Sequence, residues 1–180
     1  FHAGVRAEHY VNALQTRNHE RPRQPLSLYV HIPFCNTICY YCACNKVITK
    51  DHGRSAKYIR YLGREIDIVG GLIEGGPKVE QLHWGDGTPT FLARDEMATL
   101  MGMLRGGFEF SPQAEVSIEV DPRKVGADTI AFLAELGFNR ISVGIQDFDP
   151  EVQEAVNRIQ TEAETMTVIA AARANGLVSV

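Results

Sequence analysis

Strand-like and helical segments alternate along the chain, and this alternation is the feature that most constrains its fold. Strand-like runs begin at Leu28, Val79, Glu115 and Arg140. Between them, apolar residues recur every three or four positions, as they do on one face of a helix. Strands that alternate with helices of ten or more residues form a parallel sheet with right-handed crossovers. The sequence therefore predicts an α/β fold of four β/α units, with a fifth strand opening at Leu177.

The boundaries of these elements follow from the same pattern. The predicted strands cover residues 28–32, 79–84, 115–120 and 140–145. The predicted helices lie around residues 58–73, 97–104, 129–136 and 152–172. Gly75-Gly76-Pro77 is expected to end the first of these helices, and Gly137 stands where a C-terminal cap of the third belongs.

Residues suited to chemistry stand at or just after the end of each predicted strand. Cys35 follows the first strand, Gly85 the second and Gln146 the fourth, while Glu119 closes the third. In barrel-like parallel folds the reactive groups come from the carboxyl ends of the strands. We therefore expect these residues to converge on one rim of the sheet.

All four cysteines lie within the ten residues Cys35 to Cys44. Cys35, Cys39 and Cys42 are spaced Cys-x3-Cys-x2-Cys, so a single loop can bring three thiolates around an iron-sulfur cube. Three ligands leave one iron without a protein ligand, and an open coordination position distinguishes a catalytic metal centre from a structural one. The spacing thus predicts Cys35, Cys39 and Cys42 as ligands of a catalytic [4Fe-4S] cluster.

A disulfide and a structural zinc site are the alternatives to the cluster. A disulfide is disfavoured because the sequence has no charged start followed by an apolar run, as a secretory signal would have. A zinc-binding structural module could use all-thiolate ligation, but zinc sites usually divide their ligands into two Cys-x2-Cys pairs. The cluster is the favoured interpretation, and the zinc module remains an alternative.

The composition is that of a cytoplasmic enzyme core. The chain has 180 residues, 44% of them hydrophobic, and a net charge of -4. It has no basic excess to attract nucleic acid and no apolar run long enough to span a membrane. Residues 1–25, which include Arg17, His19 and Arg23, are expected to form an irregular, extended arm or linker before a single domain over residues 26–180.

Five motifs occur in a recognisable order. They are Tyr29–Cys35, His83–Thr90, Ile118–Pro122, Gly144–Phe148 and Val156–Arg158. Together with the cysteine loop they resemble the radical S-adenosylmethionine (SAM) enzymes, and within them the branch of oxygen-independent coproporphyrinogen III oxidases of haem biosynthesis. The resemblance begins near Pro25 and continues to the end of the chain.

This resemblance implies a fold, a reaction and partners. The fold is the partial, TIM-like (β/α)6 barrel of radical SAM enzymes, here truncated after about four units, with the last units and a C-terminal domain missing. The cofactors are a [4Fe-4S] cluster and SAM, which yield a 5′-deoxyadenosyl radical. The implied substrate is coproporphyrinogen III, whose propionates lose CO2 to leave protoporphyrinogen IX. A flavodoxin- or ferredoxin-like protein would donate electrons, and the full-length form is expected to be a monomer.

The resemblance also implies which residues contact SAM. They are Tyr29, Tyr41, Asp86, Gly87, Thr88, Glu119, Gln146 and Arg158. No catalytic residue is predicted. Tyr41 would lie near adenine and Glu119 would accept a hydrogen bond from the SAM ammonium. Gln146 suits ribose hydroxyls, and Arg158 can form a forked contact with a carboxylate.

Expectations also follow for Cys44, His31 and His83. Cys44 is present in the decarboxylating oxidases and generally missing from haem-chaperone relatives, so it favours the oxidase while the chaperone stays an alternative. His31 and His83 are expected to be core histidines bonded to backbone carbonyls.

Asp86 departs from the pattern of the resembled family. That pattern after the second strand is Trp-Gly-Gly-Gly-Thr-Pro, whereas this chain reads Trp-Gly-Asp-Gly-Thr-Pro. Aspartate tolerates left-handed backbone better than most residues, so the turn is expected to survive. A carboxylate there would repel that of SAM and attract its ammonium. We predict weaker SAM binding than in an Asp86→Gly variant.

Overall fold

The computed structural model describes residues 4–177, which form a four-stranded parallel sheet with α-helices packed against it. The strands are β1 (Leu26–His31), β2 (Phe34–Cys35), β3 (Val47–Ile48), β4 (Val79–Gly85), β5 (Phe110–Val120) and β6 (Arg140–Val143). The α-helices are α1 (Ala7–Glu20), α2 (Gly53–Leu72), α3 (Arg94–Gly107), α4 (Ala127–Glu135), α5 (Pro150–Ala155) and α6 (Glu162–Ala174). Short 3-10 helices cover Pro89–Phe91 and Pro122–Lys124.

The main sheet has the strand order β1-β4-β5-β6, and every neighbouring pair is parallel. A helix lies in each crossover: α2 between β1 and β4, α3 between β4 and β5, and α4 between β5 and β6. His31 pairs with Gly85, and Val120 pairs with Val143. The carboxyl ends of the four strands therefore meet at one edge, as the alternating pattern predicts.

The two faces of this sheet differ in polarity because successive side chains of a strand point to opposite sides. One face carries fully buried apolar residues such as Leu82, Trp84 and Ile118, which belong to one core with apolar residues of the helices. Trp84 meets Phe138 edge to face, with ring centroids 5.2 Å apart. On the other face, polar residues line a cavity of about 230 Å³: Ser27, Gln81, His83, Glu115, Ser117, Arg140 and Ser142. Helices thus cover the apolar face of the sheet.

The predicted strands are present, but some boundaries differ. β5 begins at Phe110, five residues earlier than predicted, and β6 ends at Val143. Gly137 follows α4 with φ of 99°, which confirms the predicted cap. Leu177 is buried, while the rest of the predicted fifth strand, at 178–180, lies outside the described residues.

The single helix predicted around residues 152–172 is wrong, because the structure has two helices there. Asp149 caps α5 by accepting hydrogen bonds from the backbone N–H groups of Glu151 and Val152. Thr161 caps α6 and forms a capping box with Glu164. Two separate N-terminal caps define two helices, although the apolar positions alone continue from one to the other.

The prediction of an irregular N-terminal linker is also wrong for residues 7–20, which form α1. Arg17 donates hydrogen bonds to the carbonyls of Gln24 (2.7 Å) and Glu74 (3.2 Å). Asn18 donates to the carbonyl of Leu72 at 2.7 Å. The contacts with Leu72 and Glu74 satisfy carbonyls at and just beyond the end of α2, which the helix itself leaves free. The predicted boundary near residue 25 stays a prediction.

Between residues 4 and 177, no helix has both the length and the apolar character needed to cross a bilayer.

Candidate functional site

The cysteine loop is held closed at its base by the small parallel pair β2–β3. Phe34 pairs with Val47, and Cys35 pairs with Ile48. The amide of Val47 donates to the carbonyl of Pro33 at 2.8 Å, and the amide of Thr49 donates to that of Cys35 at 2.9 Å. Residues 36–46 therefore form a loop whose two ends are fixed by backbone hydrogen bonds.

The thiols of this loop are free, which disfavours the disulfide alternative. Burial raises the pKa of the half-buried Cys35 thiol, and the hydroxyl of Thr88, 3.5 Å from its sulfur, partly opposes the rise. The guanidinium of Arg158 donates to the sulfur of Cys39 at 3.8 Å. Each of these two sulfurs thus has a hydrogen-bond donor from another part of the chain, and hydrogen bonds of this kind orient and tune the thiolate ligands of a metal centre.

The turn after β4 passes against the segment that leads into the cysteine loop. Gly87 has φ of 25°, and a Cβ there would lie 2.3 Å from the carbonyl oxygen of Ile32 and 2.7 Å from the carbonyl carbon of Pro33. The amide of Thr88 donates to the carbonyl of Phe34 at 2.9 Å. Only glycine fits at position 87, because the neighbouring atoms belong to the backbone and cannot turn aside.

Asp86 adopts left-handed backbone with φ of 59°, so the turn survives the substitution as predicted. Its carboxylate accepts a hydrogen bond from the hydroxyl of Tyr29 and lies 2.9 Å from Nδ1 of His31. Hydrogen bonds from the Cys44 thiol and then from Tyr29 lower the pKa of Asp86. Burial and the contact with Asp86 raise the pKa of the Tyr29 hydroxyl. The negative charge at position 86 therefore has partners within the chain.

At the end of β5, Glu119 contacts the same turn. Its carboxylate accepts a hydrogen bond from the amide of Asp86 at 3.0 Å. Nε2 of His83 lies 3.5 Å from Glu119, and Nδ1 of His83 lies 2.8 Å from the hydroxyl of Ser117. The prediction that backbone carbonyls satisfy His83 is wrong, because both ring nitrogens face side chains. For His31 the prediction is partly right, since Nε2 lies 2.8 Å from the carbonyl of Asn45.

Asp121 and Arg123 belong to this site although sequence reasoning did not assign them a role. Arg123 donates to the Asp121 carboxylate at 2.6 and 2.9 Å, and Arg158 lies 3.6 Å away from it. Burial opposes ionisation of Asp121, but the hydrogen bond from Arg123 and the charge of Arg158 lower its pKa overall. Arg158 also donates to the carbonyl of Gly144 at 2.9 Å. The available signal was Asp121 itself, a charged residue at the end of a buried strand.

A cavity of about 340 Å³ joins these elements at the carboxyl edge of the sheet. Every predicted site residue except Tyr29 lines it: Cys35, Cys39, Cys42, Tyr41, Asp86, Gly87, Thr88, Glu119, Gln146 and Arg158. Tyr29 reaches this rim only through its hydrogen bond to Asp86. The predicted convergence on one rim is therefore present in the structure.

The lining of this cavity fits a cluster with a bound cosubstrate. Over residues 4–177, no three His, Cys, Asp or Glu side chains stand close enough together to hold a single metal ion. Cys35, Cys39 and Cys42 all line this one cavity, as ligands of a larger inorganic group would. Beside them lie a carboxylate, an amide and a guanidinium, from Glu119, Gln146 and Arg158. Such groups can bind the ammonium, hydroxyls and carboxylate of an amino-acid nucleoside.

The comparison with protein families decides the assignment, because residues 29–180 match the Radical SAM superfamily. The chain belongs to the radical SAM superfamily. This radical SAM chain is 53% identical over 175 residues to the oxygen-independent coproporphyrinogen III oxidase of Pseudomonas aeruginosa, covering 96% of the chain and 38% of that relative. It is 46% identical over 158 residues to the Escherichia coli enzyme of the same name, covering 88% of the chain and 34% of that relative.

Solved structures agree with this radical SAM assignment. Coproporphyrinogen III oxidase from Escherichia coli, described as a radical SAM enzyme, superposes with a TM-score of 0.89 at 42% identity. The match covers 97% of the chain and 39% of that structure. The predicted family and partial-barrel fold are confirmed, and so is the cofactor pair of the family, a [4Fe-4S] cluster and SAM. The chain spans little more than a third of the length of these relatives.

Proposed function

We propose that this chain is the cluster- and SAM-binding part of an oxygen-independent coproporphyrinogen III oxidase. The observation that carries the proposal is the shared cavity, in which three cysteine thiols of one loop face Glu119 and Arg158. The identity of 53% to a relative of that name supports the choice of substrate. Each of two propionates of coproporphyrinogen III would give a hydrogen atom to a 5′-deoxyadenosyl radical, lose CO2 and pass one electron to an external one-electron acceptor, leaving the vinyl groups of protoporphyrinogen IX.

Each lining residue has a proposed task. Cys35, Cys39 and Cys42 would hold a [4Fe-4S] cluster, which would supply the one-electron reductive chemistry that cleaves SAM in this family. The carboxylate of Glu119 accepts a hydrogen bond from the SAM ammonium. Arg158, held by Asp121 and the Gly144 carbonyl, binds the SAM carboxylate. The backbone at Gly87 allows close approach of the methionine end.

The remaining contacts concern the nucleoside and the fixed turn. Tyr41 is proposed to lie against adenine, and Gln146 to bind ribose hydroxyls. Gln146 is exposed and has φ of 65°, a backbone conformation that is unusual outside glycine and is found at functional sites. Asp86 and Tyr29 form the outer edge of the SAM site, and Thr88 supports the Cys35 sulfur.

The partners of the whole protein form part of the same proposal. A flavodoxin- or ferredoxin-like protein would supply the electron, and the protein would act as a cytoplasmic monomer. Nucleic acid and membrane are not proposed as partners, since the net charge is -4. Residues 26–180 would belong to the radical SAM core.

Anaerobic reconstitution with iron and sulfide tests this proposal. The expected result is a brown protein whose absorbance bleaches with dithionite and which releases 5′-deoxyadenosine from SAM. Cys42→Ser should lose the cluster, whereas Cys44→Ser should retain it. A colourless product that binds zinc instead would contradict the proposal. Tight haem binding without formation of 5′-deoxyadenosine would favour the chaperone alternative.

A further inference from the structure

The imidazole of His31 lies between the turn after β4 and the last part of the cysteine loop. Nδ1 lies 2.9 Å from the Asp86 carboxylate, and Nε2 lies 2.8 Å from the carbonyl of Asn45. Both partners accept hydrogen bonds, whereas a neutral imidazole carries one N–H. Which nitrogen donates depends on the tautomer, and the ring lies within hydrogen-bond distance of both oxygens. His31 thus forms a bridge from Asp86 to the loop.

Asp86 is held in place on its other sides. Its amide donates to Glu119 at 3.0 Å, and its carboxylate accepts from Tyr29. The next residue, Gly87, is pressed against the backbone of Ile32 and Pro33. The carboxylate therefore has little freedom to leave His31.

The loop end that His31 contacts carries the third predicted cluster ligand. Lys46 donates to the carbonyls of Cys42 at 2.8 Å and Cys44 at 3.3 Å, which folds the segment Cys42–Lys46 onto itself. Because Asn45 belongs to this segment, the bond from His31 ties the whole unit to β1. A glycine at position 86 would leave Nδ1 of His31 without its carboxylate partner and with only the Tyr29 hydroxyl, 3.4 Å away, beside it.

We propose that Asp86 is a positioning residue that holds the segment Cys42–Lys46 in place before any cluster is inserted, through His31 and through its own contact with the Cys44 thiol. The identity of Cys42 as a cluster ligand rests on the proposed function, whereas the bridge itself does not. Asp86 in this chain thus has a structural task in the loop in addition to its place at the edge of the cavity.

Amide hydrogen exchange in the cluster-free, reduced chain tests this proposal. The Val47 amide bonds to Pro33 directly after the held segment, so its exchange reports opening of the loop end. In Asp86→Gly, loss of a charge-assisted hydrogen bond should speed exchange at Val47 about tenfold. The Phe108 amide, which bonds to Leu104 at the end of α3, should keep its rate.

Asp86→Asn is the matched variant, because asparagine tolerates positive φ and keeps an acceptor oxygen. Its exchange at Val47 should stay within about threefold of wild type. An unchanged rate in Asp86→Gly, an equal acceleration at Phe108, or an Asn variant as fast as the Gly variant would overturn the proposal. Since no cluster or SAM is needed, failure of the reconstitution experiment would leave this result intact.

Discussion

Replacing Gly87 by alanine should destabilise the protein far more than the loss of a glycine normally does. The added Cβ would lie 2.3 Å from the Ile32 carbonyl oxygen, 2.7 Å from the Pro33 carbonyl carbon and 3.0 Å from the Phe34 nitrogen. All three atoms belong to the backbone that joins β1 to β2. Relief of the overlap would therefore move the start of the cysteine loop.

The size of this effect can be estimated from two contributions. Holding alanine at positive φ costs about 1 kcal/mol. Forcing a methyl group into a packed site costs about 1–3 kcal/mol more. Gly76→Ala is the matched control, because Gly76 has φ of 61° but no heavy atom within 4 Å of the new Cβ. The control should incur only the cost of positive φ, so the free energies of unfolding of the two variants should differ by about 2 kcal/mol.

Urea unfolding followed by tryptophan fluorescence measures this difference. Trp84 is the single tryptophan of the sequence and is fully buried in the core, so its emission reports global unfolding. Equal free energies of unfolding for Gly87→Ala and Gly76→Ala would refute the argument that backbone crowding excludes a side chain at position 87.

Three further predictions concern charge, pH and the N-terminal helix. Asp86→Gly should bind SAM up to about fivefold more tightly by calorimetry on reconstituted protein, because a partly exposed charge with partners in the chain contributes little; equal affinities would contradict it. Asp121→Asn leaves Arg123 partly unpaired and should cost about 2–4 kcal/mol at neutral pH. Because folding lowers the pKa of Asp121, this contribution to stability is complete above about pH 4 and fades as the pH falls further. A difference in unfolding free energy between wild type and Asp121→Asn that persists in acid would argue against it. Asn18→Ala removes the bond to Leu72 and should cost about 1 kcal/mol in urea unfolding, whereas unchanged stability would mean that α1 is not docked.

The sequence predicted the strands well and the N-terminal region poorly, for a physical reason. Strand and helix alternation is a local pattern that repeats, so each unit could be recognised from its own residues. The helix α1 has no buried residue and therefore shows no strong apolar face. Its place depends on Arg17 and Asn18, whose partners at Glu74 and Leu72 are more than fifty residues away.

Sequence reasoning likewise identified most residues of the cavity but not their pairings. Cys35 follows from the cysteine spacing, and Glu119 and Gln146 from the family resemblance together with their places at the ends of predicted strands. Asp121 and Arg123 were missed because their importance lies in burial and in the approach of Arg158, neither of which is visible in the sequence. Tyr29 was expected to face the cavity directly, yet its hydroxyl is taken up by Asp86.

By itself, the order of residues determined the fold class, the spacing of three thiols on one loop and the polar groups that would share a rim. These depend on local periodicity and on the rule that parallel strands end on one side. Only the tertiary structure decided what the Asp86 carboxylate does. Its direction follows from positive φ at residue 86 and from the β1–β4 register, which sets His31 opposite Gly85, and both depend on how distant segments pack.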